Sequence, residues 1–260
     1  MNKQWRLKKR PEAGPWEDCF ELVEADIPEL EPGKALIKTW YLGVAPVMLR
    51  YMQNETDFES ALALGDLMIG RGVGQIVASD CPTLPVGALV QARIGWQEYA
   101  LIDDQQVPTP FILRHRDLPA SHGLSSLGPS GFTALIGLRE IGQLKPNDAI
   151  LVSGAAGGVG SQVAQVAKAL GAKRVVGIAG GRTKCAELVN SMGYDAAIDY
   201  QSEDVPASID AHFPEGIDLF FDNVGGVLLD DVLARIRRRA RIVICGSISE
   251  YLLPPRERHR

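Results

Sequence analysis

The chain has 260 residues, 46% of them hydrophobic and 23% charged, which is ample for a buried core in one large domain or two smaller ones. A formal net charge of −5 argues against a nucleic-acid binder, since phosphate recognition needs a basic face. Residues 1–20 hold no apolar stretch of the secretory kind and no window approaches a membrane span, so a cytoplasmic protein without a membrane partner is expected. Cys19, Cys81, Cys185 and Cys245 are far apart without CxxC pairing, as in a reducing compartment. His115, His122, His212 and His259 are equally dispersed, and no metal-ligand spacing occurs.

In chain order, short β-rich runs come first: Trp5–Lys8, Phe20–Ala25, Ala35–Leu42, Gly74–Ala78, Ala88–Arg93 and Gln97–Ile102, with breaks at Pro32-Gly33 and Pro85-Val-Gly87. Their spacing predicts a compact, barrel-like β domain over residues 1–125. Strands and helices then alternate over residues 126–260. The strands are Ala149–Ser153, Arg174–Ala179, Ala197–Asp199, Ile217–Asn223 and Ala240–Ile244, with later helices near 182–192, 205–213 and 227–237. Such alternation predicts an α/β, doubly wound parallel sheet. Arg235, Arg237, Arg238, Arg239 and Arg241 fall between a helix and a strand and read as cations at a helix C-terminus.

The first strand of this second half carries the most information. It ends at Gly154 in a turn of small residues, after which Val159, Val163, Val166, Ala167 and Leu170 recur at helical spacing up to Gly171, a C-terminal cap. Ala155-x-Gly157-x-x-Gly160 is the glycine fingerprint of a dinucleotide site, with alanine in its first slot. Missing Cβ atoms let the backbone approach a diphosphate, and free N–H groups at the helix start face its charge. The next strand ends about 20 residues on, where an NAD site places an acid on the ribose 2′-hydroxyl. Here it reads Ala179-Gly-Gly-Arg-Thr-Lys184, which has no acid and two cations. A 2′-phosphate would pair with Arg182 and Lys184, so NADPH is the expected cofactor. The alternative is that both are solvated surface charges.

Four motifs in order, Gly131-Phe-Thr-Ala134, Ala179-Gly-Gly-x-x-Lys-Cys185, Phe221-Asp-Asn-Val-Gly-Gly226 and Cys245-Gly-Ser-Ile-Ser-Glu-Tyr251, together with Ala155 to Gly160, resemble the medium-chain dehydrogenase/reductases. More narrowly, the chain resembles their zinc-independent branch of prostaglandin, alkenal and curcumin reductases. The resemblance implies a GroES-like N-terminal barrel, a Rossmann domain, and reduction of a carbon–carbon double bond conjugated to a carbonyl. In that reaction hydride passes from NADPH to the β-carbon of a small enone or enal. It also implies residue roles: Gly157, Gly158, Val159 and Gly160 at the diphosphate, and Lys184 and Tyr200 at the 2′-phosphate. Asn223, Cys245, Gly246 and Ser247 would line the cofactor, Thr133 would lie near the nicotinamide, and the Tyr251 phenol would donate to the substrate carbonyl. Zinc-dependent relatives carry a Cys-His pair where this chain has Val44 and Ala45, so no metal is expected.

Several readings stay open beside these. Asn223 also suits a simple turn, Tyr200 a half-buried aromatic, Cys245 a small core residue, Thr133 a helix start and Tyr251 a surface edge. The chain departs from the family at Val47, where a substrate-site tyrosine is usual, and at Thr133-Ala-Leu135, both changes making the pocket more apolar. The family's sheet has six strands, and five precede Arg260. The resemblance therefore implies a Rossmann domain lacking its last strand, weakened cofactor binding, and a final surface loop over 254–260. Relatives are often homodimers. A zinc-independent quinone reductase and a non-catalytic NADPH-binding protein are the competing functions.

Overall fold

The computed structural model describes residues 1–11, 16–53, 61–115, 117–253 and 257–258. They form two compact units, Met1–Gly128 and Pro129–Arg260, so the break falls slightly beyond the expected residue 125. Apart from Glu257 and Arg258, the loop expected over 254–260 lies outside the described residues.

The first unit contains β1 (Asn2–Leu7), β2 (Phe20–Ala25), β3 (Ala35–Leu42), a one-turn α1 (Met48–Tyr51), β4 (Arg71–Ser79), β5 (Leu89–Arg93), β6 (Tyr99–Ile102) and β7 (Phe111–Ile112). The first two strands pair as an antiparallel ribbon, and the other five form an antiparallel sheet in the order β6-β3-β4-β5-β7. Alternation along β3 buries Ala35 and Ile37 and exposes Lys38 and Trp40, as a sheet with one wet face requires. Ala35 and Ile37 pack with Ile76, Val90, Ile94 and Ile102 into one core. Asn2, fully buried, ties ribbon to sheet: its side chain donates to the Tyr99 carbonyl and accepts from the Tyr99 N–H, both at 3.0 Å. A cleft of about 340 Å³ on this unit is lined by Trp5, Leu22, Trp40 and Trp96.

The second unit contains α2 (Pro129–Ile136), β8 (Ala149–Val152), α3 (Gly160–Ala169), β9 (Arg174–Ala179), α4 (Arg182–Ser191), β10 (Ala196–Asp199), α5 (Val205–His212), β11 (Ile217–Asp222), α6 (Val227–Leu233) and β12 (Ile236–Ile244). Its strands make one parallel sheet, ordered β10-β9-β8-β11-β12. The sequence alternation foretold this arrangement. Ile150, Leu151 and Val152 in β8 and Leu219, Phe220 and Phe221 in β11 are fully buried, because helices cover both faces of the sheet. At the end of α3, Gly171 (φ 96°) closes a Schellman turn: its N–H donates to the Lys168 carbonyl and that of Ala172 to Ala167. Chain order reverses between β8 and β11. In such sheets a crevice opens there, at the carboxyl ends of the strands.

One segment differs from expectation. Instead of a helix running to 237 and a strand from Ala240, α6 ends at Leu233 and β12 already pairs at Ile236. A bulge is responsible: Ile217 partners Ile236 while Leu219 partners Arg241, looping out the residues between, with Arg239 at φ 68°. Nor are these arginines merely helix-end charges. Arg235 does donate to the Asp231 carbonyl near the end of α6. But Arg237 pairs with Asp218 at 3.0 Å and with Glu215. Arg241 pairs with Asp148 and donates to the Gly142 carbonyl at 2.8 Å.

Candidate cofactor site

The turn from β8 into α3 is built as its composition suggests. Gly154 takes a left-handed conformation (φ 55°), and the Ala155 N–H donates to Ile178 of β9, which anchors the turn to the neighbouring strand. Gly160 is the position that tolerates no side chain: a Cβ there would lie 2.4 Å from the Gly154 carbonyl oxygen and 2.7 Å from the Ala155 backbone. Ala155 fits the first slot because its methyl group faces Gly177, which leaves room for it. Gly157 and Gly158 are exposed. The N–H groups of Gly158, Val159 and Gly160 donate to no acceptor among the described residues. Three N–H groups without an acceptor among the described residues, at the positive end of a ten-residue helix, fit a diphosphate.

Around this turn the structure assembles most of the residues expected from sequence. Asn223, just past β11, packs its Cβ 3.3 Å from where a Gly154 Cβ would be. Its Nδ2 donates to the Ser153 carbonyl at 2.8 Å, so the side chain cross-links the two strand ends as well as facing the turn. Beyond β12, the Cys245 and Gly246 N–H groups both donate to the Asp222 carbonyl. Ser247 lies against Gly225, and the Tyr251 hydroxyl lies against Gly246, 3.0 Å from where a Cβ would stand. Burial first, and then the Asp222 charge, push the Cys245 thiol up to about 11, which keeps it protonated at neutral pH. Thr133 stands on the exposed part of α2, and the α2 side chain nearest the turn is Ser130, whose Oγ lies 3.3 Å from a Gly158 Cβ position.

A second cluster sits at the ends of β9 and β10. Arg182 and Lys184 are exposed in the first turn of α4, and the Tyr200 phenol covers Gly180, where a Cβ would come within 2.8 Å of its hydroxyl. Two cations and a phenol beside a bare backbone suit a phosphate monoester.

Sequence reasoning passed over the buried polar groups that hold these turns. Asp222, with no exposure, accepts from Ser153 Oγ at 2.6 Å and from the Val224 and Gly225 N–H groups. Ser153 Oγ in turn accepts from the Asn223 N–H at 2.8 Å. The buried Tyr194 hydroxyl donates to the Gly160 carbonyl at 2.6 Å, and Asp199 binds the Gly181 N–H at 2.7 Å. The available signal was a polar residue closing each apolar strand: Ser153, Asp199 and Asp222. Among the described residues no three His, Cys, Asp or Glu side chains group as metal ligands, and no helix is long and apolar enough to cross a membrane.

Two family models match, one described as the N-terminal domain of oxidoreductase over residues 3–109, the other as zinc-binding dehydrogenase over residues 158–256. The chain is 35% identical over 259 residues to the NADPH-dependent curcumin reductase of Escherichia coli, covering 98% of this chain and 73% of that protein. It is 36% identical over 262 residues to the NADP(+)-dependent 2-alkenal reductase of Nicotiana tabacum, covering 98% and 75%. The crystal structure of CurA from Vibrio vulnificus in complex with NADPH superposes with a TM-score of 0.88 at 36% identity, over 96% of this chain and 73% of that one. With Val44 and Ala45 in place of a Cys-His pair, and with the glycine turn and its flanking clusters assembled on this sheet, the chain belongs to the zinc-independent branch of the medium-chain dehydrogenase/reductase family.

Proposed function

We propose that the chain is an NADP-dependent oxidoreductase that reduces the carbon–carbon double bond of small α,β-unsaturated aldehydes or ketones. The observation that carries the coenzyme assignment is the pair of anion sites on one sheet edge. One is a glycine turn with three uncommitted N–H groups; the other is the Arg182–Lys184–Tyr200 cluster, which has no acid at the end of β9. The likeness to CurA crystallised with NADPH supports it. The reaction class rests on relatives named curcumin reductase and 2-alkenal reductase.

NADPH held there would supply hydride chemistry at the substrate β-carbon, and a proton from solvent would complete the reduction at the α-carbon. The chain's own residues do the rest. Gly157, Gly158, Val159 and Gly160 hold the diphosphate, while Lys184 and Tyr200, with Arg182, hold the 2′-phosphate. Asn223, Cys245, Gly246 and Ser247 line the cofactor, with Thr133 near its nicotinamide. Tyr251 donates its hydroxyl hydrogen to the substrate carbonyl oxygen and so steadies the negative charge that develops there. None of the four cysteines is in a disulfide, which fits a cytoplasmic setting.

Loss of reduced-nicotinamide absorbance with a 2-alkenal, an enone and a simple quinone tests this reading. Alkenal or enone turnover is expected, and Tyr251→Phe should lower kcat by about a hundredfold, the scale of losing one oxyanion donor. Turnover of the quinone alone would make the protein a quinone reductase. Cofactor binding without turnover of any of the three would make it a non-catalytic binder.

A further inference from the structure

Asp199 ends β10 with 6% exposure, directly beneath the cationic cluster. Its Oδ1 accepts from the Gly181 N–H at 2.7 Å and from the Gln201 N–H at 3.1 Å, and its Oδ2 accepts from Ser202 Oγ at 2.9 Å. Gly181 belongs to the turn between β9 and α4, whereas Gln201 and Ser202 belong to the turn after β10. Among the described residues this carboxylate is the only side chain that bonds to the backbone of both turns, beside a single backbone bond from the Tyr200 N–H to the Ala179 carbonyl at 3.2 Å. Arg182 follows Gly181, Tyr200 precedes Gln201, and the Tyr200 ring rests on Gly180. The positions of the phenol and of the two cations therefore depend on these two turns.

We propose that Asp199 is the positioning residue for coenzyme preference: by fastening the two turns it sets Arg182, Lys184 and Tyr200 around a single 2′-phosphate. This rests on the NADPH assignment above. A carboxylate near a phosphate site would ordinarily repel the ligand. Here its oxygens are committed to three donors and turned inward, and the Gly181 N–H, then that of Gln201, hold its pKa below the usual carboxylate range, with Arg182 adding to the effect. The acid missing from the end of β9 is thus supplied from the next strand in a different role. It fastens backbone and does not accept from a ribose hydroxyl.

Calorimetric titration of the protein with NADP⁺ and with NAD⁺, for wild type, Asp199→Ala and Asp199→Asn, tests this. Asp199→Ala should lower the NADP⁺-over-NAD⁺ preference by about tenfold or more, the loss expected when hydrogen bonds to a charged group disappear. Asp199→Asn keeps an oxygen for the Gly181 N–H and should restore most of the preference. Equal weakening of both coenzymes would reduce Asp199 to a structural residue and overturn the proposal. A larger loss for NAD⁺ would make it a ribose acceptor and overturn it too, as would tighter NADP⁺ binding by Asp199→Asn, which would mean net repulsion. Wild type without preference would overturn the coenzyme assignment itself. An unchanged ratio in Asp199→Ala, with wild-type preference intact, would overturn only the role of Asp199.

Discussion

Two glycines three positions apart in the fingerprint do different work. At Gly157 an added Cβ meets a single atom, the Gly154 oxygen at 3.1 Å, on an exposed face. At Gly160 it meets three backbone atoms inside 2.8 Å, none of which can rotate away, and the Gly160 carbonyl is already held by Tyr194. Gly160→Ala should therefore cost about 1–3 kcal/mol of stability through overpacking, and cofactor affinity with it. Gly157→Ala should leave the denaturant midpoint nearly unchanged and weaken NADPH binding alone, because its Cβ projects where the backbone must approach the ligand. Urea unfolding and NADPH titration of both variants check this. Equal destabilisation by the two would mean that the turn yields at both positions and that the third glycine is no packing requirement.

The strand ends, more than the strands, make the site. Ser153 directly follows β8 and Asp222 closes β11, and their 2.6 Å hydrogen bond joins residues 69 apart in sequence. Ser153→Ala would leave the buried Asp222 carboxylate short of its hydroxyl donor and the Asn223 N–H without its acceptor, costing about 1–3 kcal/mol. The Asn223 loop should loosen with it, so hydrogen exchange at Asn223 and Val224 should rise well above that elsewhere in the sheet; uniform exchange would refute a local clasp. Such pairs explain where the sequence was legible and where it was not. The β8–α3 unit could be read because a buried apolar run, a small-residue turn and a 3.6-residue period are all local signals. The joints could not, since Ser153 finds Asp222, 69 residues away, and Asp199 finds Gly181, 18 residues away, only after their strands become neighbours in the sheet. Residues 236–241 misled for a related reason. A run of arginines looks like solvated charge until Asp218 in β11 and Asp148, just before β8, arrive to pair with Arg237 and Arg241.

At the scale of the molecule, each unit has its own core, and the tryptophans sort between them: Trp5, Trp16, Trp40 and Trp96 all lie in Met1–Gly128. Tryptophan fluorescence therefore reports the first unit, while far-ultraviolet circular dichroism sees both. Acid should separate the two signals, because His212 belongs to the second unit. Arg174 Nη2 lies 3.0 Å from His212 Nδ1, and a guanidinium only donates, so the ring accepts there and is neutral. Burial first, then the Arg174 charge, hold its pKa below the ordinary histidine value, with Glu203 opposing more weakly. The unfolded chain thus takes up a proton at higher pH than the folded one. The associated stability is intact above the ordinary histidine pKa and lost as the pH falls through it. Between about pH 7.5 and pH 5.5 the dichroism transition should move to lower urea while the fluorescence transition moves less, and His212→Gln should remove most of the difference. If both probes shift together in wild type and in His212→Gln alike, the two units unfold as one and His212 does not govern the acid limb.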